Sequence, residues 1–89
     1  MELPEETIDS LLKRLRRAEG QIRGVQQMLV DGRDCRDIVT QLTAASKALD
    51  QAGFSLVAAG LTWCMSDPER ASAEGYSIED VQKMFMKLA

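Results

Sequence analysis

DCRDIVTQLTAASKALDQAGFSLVAAGLTWCM, residues 34–65, decides the fold of this chain. It has no proline, and Ile38, Val39, Leu42, Ala45, Leu49, Ala52, Leu56 and Ala59 recur at helical spacing. Asp34 is an N-cap candidate after Gly32, and Pro68 blocks continuation beyond Asp67. The spacing predicts one helix over about residues 35–66, long for a globular protein. Its ends carry the two cysteines of the chain, Cys35 and Cys64.

The cysteines are 29 positions apart. At ~1.5 Å per residue they lie ~43 Å apart on a straight helix, so they do not meet within one chain. At ~100° per residue, 29 steps close to within ~20°, so both thiols share one face. Two copies packed antiparallel about a two-fold axis near Leu49 and Asp50 bring Cys35 of one against Cys64 of the other. Such a dimer holds two identical dithiol sites. The alternative is two unrelated buried cysteines, a common fate for free cysteine.

Eighty-nine residues make one domain, read here as residues 1–89. Aromatic residues are 4% of the chain, so a lone monomer has a thin core, and long amphipathic helices point to self-association. The net charge of −3 argues against nonspecific nucleic-acid binding. Locally the balance reverses. Lys13 to Arg23 holds five basic residues and one acidic. No signal peptide and no apolar run of spanning length is present, which predicts a cytoplasmic protein without membrane contact. Cysteines in that compartment are expected to be reduced and functional.

A second helix is expected over about residues 7–31. Ile8, Leu15, Ile22 and Leu29 repeat every seven residues, with Leu11, Ala18 and Val25 between them. This seam predicts lengthwise packing on another helix. Met1–Glu6 is acidic and expected to fray, with Pro4 near the helix start. Gly32 is a good stop, and the short link Gly32, Arg33, Asp34 predicts an antiparallel hairpin. Lys13, Arg16, Arg17 and Arg23 project away from the seam, with Arg14 at its flank. An ordinary solvated face mixes signs, whereas this one has only Glu19 nearby. Four arginines to one lysine suit phosphate contact.

SDPERASAEGYS, residues 66–77, reads as a loop. A capping box at Ser77 and Asp80 then opens a third helix over about residues 78–88, with Ile78, Val81, Met84, Phe85 and Leu88 on one face. Met28, Met65, Met84 and Met86 read as core filler rather than soft metal ligands, and Trp63 as interface packing. The fold class is therefore all-α, a three-helix protomer. With no histidine, His-based triads and His metal sites are excluded, and no phosphate-cradling glycine motif occurs, so no enzyme is expected. Gly53 and Gly60 cost the long helix about 1 kcal/mol each against alanine and suit a close backbone approach or a cavity beside the thiol.

RLRRAEGQIRGVQQML at residues 14–29, GRDCRDIVTQLTAASKALDQAGFSLV at residues 32–57, and Cys64 resemble the CsoR/RcnR family of bacterial repressors. The likeness runs from about Leu11 to Met65, and VQKMFMKLA at residues 81–89 is similar to the ending of some members. The resemblance implies a disc-shaped tetramer of two antiparallel dimers. It implies operator DNA bound through basic surfaces of the first two helices without a helix-turn-helix, and an inducer at the cysteine site that releases the DNA. Lys47 matches a basic family position and joins Lys13, Arg14, Arg16, Arg17 and Arg23 as DNA-binding candidates. In copper-sensing members, Cu(I) is held by a cysteine that starts helix two, with a histidine and a cysteine four residues apart on the other chain. Cys35 and Cys64 match the cysteines, and the histidine position is Gly60. Nickel-, cobalt- and formaldehyde-sensing members rely on this histidine or an N-terminal one, and neither occurs here. The two-cysteine pattern without histidine is similar to CstR-type members, which link the two cysteines across subunits in response to persulfides.

The chemistry expected of such a pair is thiolate attack on sulfane sulfur, followed by resolution by the second thiol. Arg36 beside Cys35, at a helix amino terminus, gives an electropositive setting for a thiolate. The expected function is a DNA-binding repressor released by persulfide chemistry at an intersubunit dithiol, with no cofactor required. One alternative is a Cu(I)-responsive repressor, with Cys35 and Cys64 as metal ligands and Cu(I) as inducer. An alternative of another class is a helical scaffold that binds no DNA.

Overall fold

The structure, a computed structural model, describes residues 2–89. Met1, the start of the stretch expected to fray, lies outside the described residues. Within that stretch Glu5 and Glu6 are already helical. The helix α1 spans Glu5–Val30, with Pro4 at its N-cap and the two glutamates in its first turn, where they complement the helix dipole. It ends at Gly32, whose φ of 67° is left-handed. There Arg33 N–H donates to Met28 O at 2.9 Å and Gly32 N–H to Leu29 O at 3.3 Å, which satisfies the carbonyls of the last turn.

The long helix α2 spans Cys35–Ser66, with Asp34 as its N-cap accepting from Arg36 N–H at 3.0 Å. It runs back along α1. Arg14 of α1 reaches Gln51 of α2, and the space beside Gly24 is bounded by the Gln41 side chain. The seam between them is built of small residues: Ala18 and Val25 on α1 face Ala45 and Ala52 on α2, all buried. Small side chains let the two helices approach closely.

The stretch read as a loop contains a further helix. α3 spans Pro68–Ala73, so the described residues form four helices rather than three. Asp67 caps it by accepting from Arg70 N–H at 3.3 Å, and Pro68 opens its first turn. Proline costs nothing there because its missing N–H would have no intrahelical partner. Proline thus ends α2 and starts α3. Gly75, with φ 85°, closes α3, and Tyr76 N–H donates back to Ala71 O at 2.8 Å. α4 spans Ile78–Leu88 and opens on the capping box: Asp80 N–H donates to Ser77 Oγ and Ser77 N–H to Asp80 Oδ2, each at 3.1 Å.

α3 and α4 fold onto the C-terminal half of α2. Val57, Cys64, Ala71 and Val81 form the core there, with Leu61, Trp63 and Tyr76 packed around it. Farther along, Phe85 meets Phe54 edge-on with ring centroids 5.7 Å apart. Leu88 fills the space over Gly53, with a methyl carbon 2.7 Å from where a Cβ would stand. Gly53 is the notch that seats the end of α4. Val81 is the one large side chain among the described residues that is buried almost completely. Val81→Ala is expected to lower stability by about 2 kcal/mol, read as a shift in the urea midpoint at unchanged m.

The heptad seam divides in two. Ala18 and Val25 are buried against α2 and Leu11 is half-buried, but Ile8, Leu15, Ile22 and Leu29 remain 39–61% exposed. A straight helix drifts ~20° per heptad, and the alanine row of α2 covers only one of the two rows. On α2, Leu42, Leu49 and Leu56 form another exposed row at seven-residue spacing. Arg14 and Leu15 flank the buried row of α1 on opposite sides, as do Gln51 and Leu49 on α2. Because Arg14 meets Gln51, both leucine-rich rows lie on the other side of the hairpin. The protomer is a slab of 55 × 25 × 14 Å, with the leucine rows on one side of the hairpin. So thin a slab buries few side chains by itself.

Candidate functional site

Cys35 is the first residue of α2 and is exposed. Its setting is less electropositive than Arg36 alone suggests. Asp34 caps the same turn, Asp37 follows within it, and Arg33 pairs with Asp37 at 3.5 Å. Cys64 is 4% exposed, enclosed by Val57, Ala71 and Val81 of its own chain. Gly60, one turn earlier, is also buried and contributes no side chain. The two thiols stand at opposite ends of α2, and a single chain does not bring them together. Among the described residues, no group of three or more His, Cys, Asp or Glu side chains is placed to hold a metal ion.

Trp63, read as interface packing, has an aromatic partner within its own chain. It is half-buried and packs edge-on against Tyr76, centroids 5.4 Å apart. The methionines read as core filler are largely outside the core: Met65 and Met86 are each 72% exposed, Met84 is exposed, and Met28 is half-buried in the hairpin. Apolar spacing in α4 identifies a face without showing how much of that face its own chain covers.

The basic residues fall into two sets. Lys13, Arg14 and Arg17 lie on the flank of α1 that borders Gln51, and Lys47, one turn before Gln51, lies on the matching flank of α2. Arg16 and Arg23 lie on the outer edge of α1. Arg23 is paired with Glu19 at 3.1 Å. Lys13, Arg14, Arg16, Arg17 and Lys47 form no ion pair among the described residues and are exposed. Arg14 donates from Nη1 to Gln51 Oε1 at 3.3 Å. Gln51 escaped the sequence reading; its signal is the i+4 spacing from Lys47 on the polar side of α2. A cationic surface thus occupies the side of the hairpin opposite the leucine rows. No helix among the described residues is long and apolar enough to cross a membrane.

The family model described as metal-sensitive transcriptional repressor matches residues 7–87. The chain is 40% identical over 67 residues to the copper-sensing transcriptional repressor RicR of Mycobacterium tuberculosis, covering 75% of this chain and 67% of that protein. It is 30% identical over 79 residues to the copper-sensing transcriptional repressor CsoR of Bacillus subtilis, covering 89% of this chain and 78% of that protein. Among solved structures, the copper-sensing repressor CsoR with Cu(I) from Geobacillus thermodenitrificans superposes with a TM-score of 0.74 at 38% identity, covering 99% of this chain and 88% of that one. The nickel-responsive transcriptional regulator InrS superposes with a TM-score of 0.67 at 31% identity, covering 90% of this chain and 85% of that one. The match over nearly the whole chain, with the same all-helical architecture, shows that this protein belongs to the CsoR family of metal-sensitive transcriptional repressors and is not an enzyme.

Proposed function

We propose that all 89 residues act as one unit, an operator-binding repressor of the bacterial cytoplasm, built as a symmetric assembly of its own copies. Lys13, Arg14, Arg16, Arg17 and Arg23 of α1, with Lys47 of α2, are the operator surface. The inducer site is the dithiol of Cys35 from one protomer and the partner's Cys64, with Gly60 and Arg36 beside it. The observation that carries this reading is the exposed row Leu42, Leu49, Leu56. It is centred on Leu49, midway between the cysteines. An antiparallel copy that buries this row opposes Cys35 to the partner's Cys64 at both ends. The apolar groove between α2 and α4, lined by Phe54, Leu61, Phe85 and Met86, is the surface left for dimers to pair into a disc-shaped tetramer. Light scattering at micromolar concentration is expected to give a multiple of the 9.9 kDa chain mass, and a folded monomer there overturns the assembly.

Cu(I) is the inducer that the copper-sensing relatives favour. The donor set fits it: thiolates are soft ligands, and Cys35 with the partner's Cys64 supplies two. When bound, the metal would link the two chains through these thiolates. Gly60 favours a second reading, because it leaves the thiols without a third donor one turn away. Here the Cys35 thiolate attacks the terminal sulfur of a polysulfide: a Cys35 S–S bond forms, the polysulfide S–S bond breaks, the shortened sulfur chain leaves with the electron pair, and Cys35 is left as a persulfide. The partner's Cys64 thiolate then attacks the Cys35 sulfur, expelling hydrosulfide and leaving a disulfide.

Fluorescence anisotropy of a labelled duplex from upstream of the chain's own coding sequence tests both readings. Cu(I) is added against a competing chelator in one arm, and polysulfide in the other. Release by Cu(I) without a covalent dimer supports the metal reading. Release by polysulfide with a reducible Cys35–Cys64 cross-link supports the sulfur reading. A duplex that stays bound in both arms overturns the dithiol as inducer site.

A further inference from the structure

We infer that Gln51 is a positioning residue for operator binding, acting through Arg14. This rests on reading the polar side of the hairpin as the operator surface. Arg14 is on α1 and Gln51 on α2, 37 residues away in sequence, and the guanidinium donates to the Gln51 side-chain oxygen at 3.3 Å. Arg14 is the one basic residue of the α1 cluster with a side-chain hydrogen bond to another helix among the described residues.

The identity of the partner sets what the bond does. Arg23, on the outer edge of α1, is held by Glu19, an acid that offsets its charge. Gln51 is neutral, so it restrains Arg14 and leaves its charge intact. A guanidinium has five N–H donors in a planar fork, and this bond engages one nitrogen, leaving donors for the paired contact that arginine makes with phosphate. Asp50 adjoins the same open recess, lined by Arg14, Asp50, Gln51, Phe54 and Ser55. It is the competing partner that would neutralise Arg14, and it lies ~100° away from Gln51 around α2. The Gln51 bond therefore draws the guanidinium toward the Lys47 flank. Part of the rotamer freedom that arginine loses on binding DNA is already lost in the free protein.

The test is a salt series with the same labelled duplex, using the full chain as parent, Gln51→Ala, Gln51→Glu, Arg14→Ala, and the Arg14→Ala/Gln51→Ala pair. Far-UV circular dichroism and the urea midpoint confirm that each is folded. Gln51→Ala is expected to bind about fivefold more weakly with an unchanged salt slope, the size of one lost hydrogen bond. Gln51→Glu is expected to pair Arg14 with a carboxylate and reduce the log–log salt slope by about 0.9 for each phosphate that Arg14 no longer neutralises. The double variant is expected to bind like Arg14→Ala alone, because Gln51 has nothing left to position. Gln51→Ala binding within twofold of the parent overturns the assignment. So does a Gln51→Ala penalty that is equally large without Arg14, since that penalty would be structural. A parent that binds no duplex overturns the operator reading itself, and the assignment with it.

Discussion

Replacing Arg14, Arg16 and Arg17 together by alanine is expected to abolish operator binding at physiological salt while leaving the fold unchanged. All three are exposed, and none forms an ion pair among the described residues. Truncating them therefore strands no buried group. The log–log salt slope should fall by about 0.9 for every phosphate left without its arginine, so three per protomer reduce it by about five for a dimer. A surface that neutralises six to ten phosphates gains roughly 10³–10⁵ in affinity between 200 and 50 mM salt, so the loss should dominate the titration. The geometry adds a ranking. Arg14 and Arg17 share the flank that holds Lys47, whereas Arg16 is on the outer edge of α1. Arg14→Ala/Arg17→Ala is expected to weaken binding more than Arg16→Ala/Arg23→Ala, because Arg23 is already offset by Glu19. A triple variant with the parent's affinity across the salt series would show that this patch is only a solvated face.

Removing either thiol is expected to abolish inducer release while operator binding by the reduced protein persists. Each cysteine is half of the proposed site, so one substitution leaves a lone donor or a lone nucleophile. The two positions need different substitutions. Cys35 is exposed, and Cys35→Ser replaces one solvated group by another. Cys64 is buried among Val57, Ala71 and Val81, so Cys64→Ser places a hydroxyl in an apolar cluster at a cost of about 1–3 kcal/mol. Cys64→Ala leaves only a small cavity and is the cleaner variant. The readouts are anisotropy before and after inducer, with the urea midpoint as control. If Cys35→Ser still releases the duplex on Cu(I) or polysulfide, Cys35 is outside the sensor and the dithiol proposal fails.

Cys64 also shows what reacting there must disturb. Its neighbours Ala71 and Val81 belong to α3 and α4, so chemistry at this thiol takes place within the packing that holds those helices on α2. The 29-residue spacing places Cys64 on a helix face and is silent about what covers that face. Helical spacing is equally silent about Met65 and Met86, which read as core filler and are exposed in the protomer.

Local signals were sufficient for the ends of α2, because Asp34 and Pro68 act through the backbone of their own turn. The same holds for the stop at Gly32 and the capping box at Ser77 and Asp80. α3 was hidden for a related reason: Pro68 signals both the end of one helix and the start of another, and six residues carry too little periodicity to separate the two. The division of the α1 heptads was not legible at all. Ile8, Leu15, Ile22 and Leu29 resemble Leu11, Ala18 and Val25 as a pattern, and only the alanine surface of α2 decides which row is buried.

By itself, then, the sequence determined α1, α2 and α4, the hairpin, the cationic cluster of α1 and the two thiols on one helix face. Each depends on neighbours within about one turn or on the fixed helical repeat. Tertiary structure decided that Cys64 is buried while Cys35 is exposed, that Arg14 is held by Gln51, and that the leucine rows share one side of a thin slab. Those facts depend on the register and side on which α1, α3 and α4 meet α2, and shape complementarity between distant side chains sets that register.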